Sequence, residues 1–196
     1  MKKTTIQDIQ KLKNSNTPFA TLTAYDFTSA KLIDQENIPL ILVGDSAAMV
    51  VYGYDTTIPV SMDEMVFLVA SVSRGTKHAL VVADMPFLSY QVSVENAIFN
   101  AGRFIKESGA QSVKLEGGEE YADRISGIVN AGIPVVAHLG LTPQSFHQMS
   151  GYKIQGKSLE TAEKILADAY AVEKAGAFAL VLEGIPSELS EKITNS

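Results

Sequence analysis

NAGIPVVAHLG (residues 130–140) contains the end of a helical pattern, an apolar run and a polar residue in one short stretch. Gly132 follows the helical pattern, as glycine commonly does where a helix stops and the chain turns. The run IPVVA is continuous in apolar residues, which is typical of a parallel strand with helices on both faces. His138 ends the run. The stretch therefore predicts an α/β fold, because helix, turn and buried strand follow one another without a linker.

The same organisation recurs along the chain. Glycine separates a helical pattern from an apolar run again at ESGA (107–110) and KAGA (174–177). Six runs read as strands: FATLTAY (19–25), PLILVGD (39–45), ALVVADMP (79–86), SVKLEG (112–117), IPVVAHLG (133–140) and FALVLEG (178–184). Helices are predicted over residues 5–15, 27–36, 93–108, 119–131 and 158–175, after Ser61 and after Pro186. Ser61 and Glu64 have the spacing of a capping box, which marks a helix start.

Six βα units allow two architectures. A doubly wound sheet usually has G-x-G-x-x-G after its first strand, and this motif is absent here. A closed (β/α)8 barrel typically needs about 250 residues, and the chain has 196. We therefore expect a single α/β domain over residues 1–196, a (β/α)8 TIM barrel of which only about the first six βα units are present, so that it is C-terminally incomplete.

Composition excludes several classes of function. The formal charge is −6, from 16 basic and 22 acidic residues, and basic residues form no stripe, which disfavours nucleic-acid binding. The chain has no cysteine, so neither a disulfide framework nor a thiolate metal site is available. The first residues have no apolar core of a signal peptide, and no apolar run approaches the roughly 20 residues of a membrane span. We expect a soluble cytoplasmic protein.

Five predicted strands end in polar or charged residues. These residues are Asp45 and Ser46, Asp84, Lys114 and Glu116, His138, and Glu183. The carboxyl ends of parallel strands converge on one face of a barrel, where barrel enzymes carry their active sites. Side-chain alternation also puts Lys114 and Glu116 on the same face of their strand. The pattern predicts that residues far apart in the sequence meet in one pocket.

The residue types suggest a division of roles. Asp45 and Asp84 offer oxygen ligands, with Glu116 a third, and oxygen ligation favours Mg²⁺ over Zn²⁺. Lys114 supplies a positive charge for a carboxylate or an enolate. Glu183 is free to act as general base.

Two other strand-end residues complete the set. His138 can donate a hydrogen bond to a developing oxyanion or polarise a water, and Ser46 can present its hydroxyl or amide to the substrate.

Each residue taken singly also has a simpler interpretation. A lone aspartate after a strand is more often a turn former or helix N-cap than a ligand. In this simpler interpretation, Lys114 and Glu116 form a solvated pair at a sheet edge. His138 is a buried histidine whose hydrogen bonds are satisfied, and Glu183 belongs to a surface turn. Tyr25 and Asp26 follow the first strand, and we interpret them as a packing tyrosine and an N-cap. The coincidence of five polar strand ends favours the site.

These residues and their flanking segments resemble the ketopantoate hydroxymethyltransferase family. The similar blocks are TAYD (23–26), VGDSAAMVVYGYDTTIPVSMDEM (43–65), ADMPFLSY (83–90), NAGRFIKESGAQSVKLEGG (100–118), HLGLTPQS (138–145), GYKIQG (151–156) and LEGIP (182–186). The resemblance implies a Mg²⁺-dependent (β/α)8 barrel that forms homo-oligomers. It also implies transfer of a one-carbon unit from 5,10-methylenetetrahydrofolate to 3-methyl-2-oxobutanoate, which gives 2-dehydropantoate in pantothenate biosynthesis.

The resemblance also assigns roles to individual residues. Asp45 and Asp84 resemble direct metal ligands that also bind substrate, and Glu116 resembles a third metal-associated carboxylate that can act through water. Ser46 and Lys114 resemble the contacts to the keto acid. Glu183 matches the proton acceptor.

His138 resembles a substrate-binding neighbour. Two alternatives stay open: a Mg²⁺-dependent keto-acid lyase or mutase barrel, which the absence of cysteine disfavours, and a non-catalytic truncated homologue.

Overall fold

Six strands form one parallel sheet in the part of the chain that the computed structural model describes, residues 2–149 and 151–196. They are β1 (Thr21–Thr23), β2 (Leu40–Val43), β3 (Leu80–Asp84), β4 (Ser112–Glu116), β5 (Val135–Gly140) and β6 (Ala179–Glu183). Neighbouring strands pair in chain order from β1 to β6. A doubly wound sheet has a point at which this order reverses, and here the order never reverses. The predicted barrel topology, with six βα units, is confirmed.

Helices lie between successive strands, before β1 and after β6. They are α1 (Ile6–Asn14), α2 (Phe27–Gln35), α3 (Ala47–Val50), α4 (Met62–Gly75), α5 (Val94–Arg103), α6 (Ala122–Asn130), α7 (Phe146–Met149), α8 (Leu159–Lys174) and α9 (Ser187–Asn195). Ser61 and Glu64 form the predicted capping box at the start of α4. A π-helical turn, Phe104–Ser108, extends α5 to Gly109, whose φ of 75° ends the helix in the left-handed region.

Both faces of the central strands are covered. In β4, Val113 and Leu115 are fully buried on one face, while Lys114 and Glu116 are buried on the other. The strands at the two edges of the sheet are more open, since all of β1 is exposed and β6 is mostly half-buried. A cavity of about 590 Å³ lies along β6 between α1, α8 and α9, away from the polar strand ends. None of the helices in residues 2–149 and 151–196 has the length and apolar composition needed to cross a bilayer.

Asp34 joins α2 to the segment that leads into β3. Its buried carboxylate accepts hydrogen bonds from the backbone N–H groups of Lys77, His78 and Ala79, at 2.9, 2.9 and 2.8 Å. Burial alone raises the pKa of Asp34, but the three N–H groups outweigh it and lower the pKa below its usual value. This carboxylate therefore fixes the amino-terminal end of the strand that carries Asp84.

Candidate active site

The strand register brings the polar strand ends beside one another, in steps of two residues from β3 to β6. Asp84 pairs with Lys114, Glu116 pairs with His138, and Gly140 pairs with Glu183. Asp45, Asp84, Lys114, Glu116 and His138 are buried, with at most 4% of each residue exposed. Glu183 stands at the rim, with 47% of its side chain exposed. The predicted strand-end residues therefore form a buried cluster with one exposed carboxylate, that of Glu183.

Lys114 forms the ionic centre of this cluster. Its Nζ donates to Asp84 Oδ1 at 2.6 Å and lies 3.9 Å from Glu116 Oε1. Burial alone lowers the pKa of Lys114, but the charges of Asp84, Glu116 and Asp45 outweigh it and raise the pKa above its usual value. The lysine is therefore a permanent positive charge, and the alternative of a solvated surface pair does not fit its burial.

Asp45 lies directly beside Asp84. Its backbone N–H donates to Asp84 Oδ2 at 3.1 Å, and its Oδ2 accepts a hydrogen bond from Gln144 Nε2 at 2.9 Å. Burial and then the charge of Asp84 raise the pKa of Asp45 to about 8, although Lys114 and Gln144 act in the opposite direction. The two carboxylates thus have more negative charge between them than the neighbouring groups neutralise.

His138 lies between two glutamates. Its Nδ1 is 3.6 Å from Glu116 Oε1, and its Nε2 is 3.3 Å from Glu183 Oε2. Burial and Lys114 lower the pKa of His138, but the two glutamates outweigh them and raise it. The contact with His138 lowers the pKa of Glu183, so this carboxyl is ionised at neutral pH.

Neither ring nitrogen of His138 has a hydrogen bond of good geometry within the described residues. The alternative of a satisfied core histidine therefore does not describe this residue.

Ser46 follows Asp45 and makes its contact through Tyr25. The Ser46 Oγ and the Tyr25 hydroxyl are 2.9 Å apart. Asp26 caps α2 as the sequence predicted, but Tyr25, which we interpreted as a packing residue, reaches the site. The rule that found the other strand ends applies to Tyr25 as well, because it directly follows the TLTA segment of the first strand.

Gln144 and Tyr90 join the cluster without having been predicted. Gln144 lies in the 3₁₀ turn Pro143–Ser145 after β5, and its backbone N–H donates to Glu116 Oε2 at 3.0 Å. The Tyr90 hydroxyl donates to Gln144 Oε1 at 2.8 Å. Neither residue ends a strand and neither is charged, so a search for ionisable strand ends passes over both.

All seven residues predicted from the sequence lie in or beside this network. They are Asp45, Ser46, Asp84, Lys114, Glu116, His138 and Glu183. Four of them are carboxylates, against one lysine and one histidine. The group is therefore rich in negative charge and in oxygen donors.

The donor set fits a magnesium ion bound by two carboxylates. Within residues 2–149 and 151–196, no group of three or more His, Asp or Glu side chains is placed so that it could hold a metal ion. Mg²⁺ does not need such a group, since it keeps several waters and takes one or two protein carboxylates. Burial and the charge of Asp84 raise the pKa of Asp45, so a cation beside this carboxyl would be favourable. Glu116 Oε1 is buried and accepts no hydrogen bond from the described residues, so it can receive one from a metal-bound water.

The sequence of this chain is similar to that of one known family of proteins. The model of the family described as ketopantoate hydroxymethyltransferase matches residues 3–196. A curated 3-methyl-2-oxobutanoate hydroxymethyltransferase of Dehalococcoides mccartyi is 54% identical over 192 residues, which cover 98% of this chain and 69% of that protein. The protein of the same name from Carboxydothermus hydrogenoformans is 53% identical over 196 residues, covering 100% of this chain and 71% of its own length.

Solved structures with little sequence similarity share the fold. A 2,3-dimethylmalate lyase, a member of the PEP mutase/isocitrate lyase superfamily, superposes with a TM-score of 0.70 at 19% identity, covering 97% of this chain and 67% of that one. A phosphonopyruvate hydrolase in complex with oxalate and Mg²⁺ gives 0.69 at 17% identity, covering 92% and 63%. At this identity the likeness concerns the barrel alone.

Proposed function

The chain belongs to the ketopantoate hydroxymethyltransferase family, and on that premise we propose the reaction that it catalyses. It transfers the methylene carbon of 5,10-methylenetetrahydrofolate to C3 of 3-methyl-2-oxobutanoate, and with one water this gives 2-dehydropantoate and tetrahydrofolate. The relatives at 53–54% identity carry the name of this activity. The reaction is a step in pantothenate biosynthesis.

Asp45 and Asp84 are the proposed protein ligands of Mg²⁺, with Glu116 acting through a water. The closeness of the first two carboxylates and the raised pKa of Asp45 support this assignment. When bound, Mg²⁺ supplies Lewis acidity that makes the C3 proton of a chelated α-keto acid easier to remove. The solved phosphonopyruvate hydrolase complex holds oxalate and Mg²⁺ in a barrel of the same fold, which is consistent with a two-oxygen substrate here.

Lys114 and Ser46 are the proposed contacts to the keto acid. The charge of Lys114 is fixed by its buried ion pair with Asp84, so it attracts the substrate carboxylate and stabilises negative charge that develops on the keto oxygen. Ser46 is half-buried next to Asp45, and Tyr25 holds its hydroxyl. These two residues define the side of the metal site on which the substrate binds.

Glu183 is the proposed general base that removes the C3 proton. The observation that carries this assignment is exposure: Glu183 is half exposed at the rim, whereas the other three carboxylates are buried. The contact with His138, whose Nε2 lies 3.3 Å from Glu183 Oε2, lowers the pKa of Glu183 and so keeps it ionised. The carbanion that forms when Glu183 takes the proton attacks the one-carbon unit of the folate.

The cellular setting follows from the same proposal. We infer a single βα-barrel domain that works in the cytoplasm as a homo-oligomer on small-molecule substrates. The net charge of −6 argues against nucleic acid as a partner. The resemblance to the family supports the oligomer.

Exchange of the C3 proton of 3-methyl-2-oxobutanoate into deuterated water tests the base and the metal together. We expect Mg²⁺-dependent exchange that falls at least 100-fold in Glu183→Gln, since a positioned base contributes about 10²–10⁴ in rate. The control is Glu188→Gln, which changes a carboxylate on α9 outside the site. Exchange without Mg²⁺, or undiminished exchange in Glu183→Gln, contradicts the mechanism. A non-catalytic homologue shows no exchange at all.

A further inference from the structure

Gln144 is an uncharged residue that makes hydrogen bonds to two of the proposed metal ligands, Asp45 and Glu116. It is 5% exposed and lies in the turn after β5. Its backbone N–H donates to Glu116 Oε2, and its side-chain Nε2 donates to Asp45 Oδ2. One residue thus holds two carboxylates that come from the ends of different strands.

In both carboxylates Gln144 occupies one oxygen and leaves the other available. The Oδ2 of Asp45 is bonded to the Gln144 amide, and no residue that the structure describes donates to its Oδ1. The Oε2 of Glu116 is bonded to the Gln144 backbone, and its Oε1 is buried without a hydrogen-bond partner among the described residues. Gln144 therefore fixes which oxygen of each carboxylate is left to other groups, and the nearest cationic groups to Glu116 Oε1 are His138 Nδ1 at 3.6 Å and Lys114 Nζ at 3.9 Å.

The orientation of the Gln144 amide is fixed by its neighbours. Its Nε2 faces two acceptors, Asp45 Oδ2 and the Met85 carbonyl, each at 2.9 Å. Its Oε1 faces two donors, the Tyr90 hydroxyl at 2.8 Å and Gln91 Nε2 at 3.1 Å. A reversed amide would set an oxygen against two oxygens, so one arrangement satisfies every group. The side chain is therefore held at both ends before any ligand binds.

We propose that Gln144 is the positioning residue that orients Asp45 and Glu116 toward the metal site. The inference rests on the proposed function, since it concerns the metal ligands assigned above. Groups that orient metal ligands through hydrogen bonds typically change metal affinity by about 10- to 100-fold when they are removed. A role in stability alone would leave the affinity of the folded protein unchanged.

The test measures Mn²⁺ affinity in the absence of substrate. Metal-free protein is titrated with Mn²⁺, and the free ion is followed by electron paramagnetic resonance. We expect Gln144→Leu to weaken binding about 10- to 100-fold. Both variants keep the backbone N–H that binds Glu116. Gln144→Asn also keeps a side-chain amide but withdraws it by one methylene from Asp45, and we expect a loss of about 10-fold. Urea unfolding gives the folded fraction of each variant.

Gln111→Leu is the matched control. The Gln111 side chain is likewise hydrogen-bonded to the backbone, since its Oε1 accepts from the Val81 N–H at 3.0 Å, but Gln111 precedes β4 at the opposite end of the sheet. We expect its Mn²⁺ affinity to stay within about twofold of the parent. If Gln144→Leu does not fold, Gln144→Asn decides the question.

The outcomes separate this inference from the proposed function. A folded Gln144 variant that binds Mn²⁺ as tightly as the parent overturns the positioning role and leaves the proposed reaction standing. A parent protein that binds no Mn²⁺ contradicts both. A parent that binds Mn²⁺ but shows no C3 exchange contradicts the reaction alone, while weakened binding in the Gln144 variants still supports the positioning role.

Discussion

Replacement of Lys114 by methionine removes the one ammonium group of the buried strand-end cluster. The Lys114 Nζ lies 2.6 Å from Asp84 Oδ1, and both side chains are at most 5% exposed. Methionine has a similar length and preserves the packing of the stem. The change therefore leaves Asp84, Glu116 and Asp45 together without their cation. Breaking a buried ion pair by removing one partner costs about 3–5 kcal/mol, because the remaining charge is buried and uncompensated.

The predicted loss is large enough for chemical denaturation to measure. With a urea m-value of about 2–3 kcal/mol/M, a loss of about 3–5 kcal/mol lowers the unfolding midpoint by about 1–2.5 M. Unfolding is followed by circular dichroism with a chelator present, so that no divalent cation replaces the lysine. Adding Mg²⁺ should then restore part of the stability of Lys114→Met, since the ion binds the folded state and not the unfolded chain.

Lys11→Met is the matched control for this prediction. Lys11 also pairs with an aspartate, Asp8, but at 3.4 Å on the surface of α1, where 75% of its side chain is exposed. Exposed pairs contribute about 0–1 kcal/mol, and methionine and lysine have similar helix propensities. If Lys114→Met lowers the free energy of unfolding no more than Lys11→Met does, Lys114 is a solvated surface charge. The account of a buried ionic centre is then refuted.

Two further predictions concern polar contacts at opposite ends of the strands: Asp34 bonds the segment before β3, and Tyr25 contacts Ser46 after β2. Asp34→Asn should cost about 1–3 kcal/mol at pH 7, because an amide cannot accept all three backbone N–H groups. The folded-state pKa of Asp34 is depressed, so its contribution is fully present above about pH 4 and is lost as the pH falls further. Urea unfolding at pH 7 and pH 3 should thus show a difference between parent and variant that shrinks in acid, and a difference that grows in acid contradicts the assignment. Tyr25→Phe should raise KM for the keto acid about two- to tenfold, the worth of one neutral hydrogen bond, with kcat and the unfolding midpoint little changed. An unchanged KM would mean that the contact with Ser46 at 2.9 Å does not position the substrate.

The regular elements of the fold are predictable because each has a local cause in the sequence. Ser61 and Glu64 mark a helix start through capping, and Gly109 marks a helix end through its left-handed conformation. The short helices α3 and α7 lie in segments for which the sequence predicted no helix. Four residues are too few for the 3.6-residue period to become visible, so nothing in their sequence distinguishes them from a turn.

The candidate site also contains some residues that could be predicted from the sequence and others that could not. The ionisable strand ends could be predicted because burying a charge is costly, so that several charges at strand ends indicate that they compensate one another. Gln144 and Tyr90 could not be predicted by this argument. Burying an uncharged amide or hydroxyl costs much less than burying a charge, so its presence in the sequence does not indicate a site. The role of such a residue depends on the packing of the loop that carries it. Only the three-dimensional arrangement shows that the turn after β5 reaches Asp45 and Glu116.

The excess of negative charge connects the stability of the barrel to its proposed chemistry. Asp45, Asp84 and Glu116 are buried with one lysine, and burial together with the charge of Asp84 raises the pKa of Asp45, so its ionisation is unfavourable in the metal-free protein. A divalent cation removes this cost in the folded state alone, and the unfolded chain has no comparable site. Metal binding must therefore stabilise the fold by the same free energy with which the fold holds the metal. It follows that a substitution that weakens Mn²⁺ binding without destabilising the metal-free protein acts on the geometry of the ligands, and this is the behaviour expected when Gln144 loses its contact with Asp45.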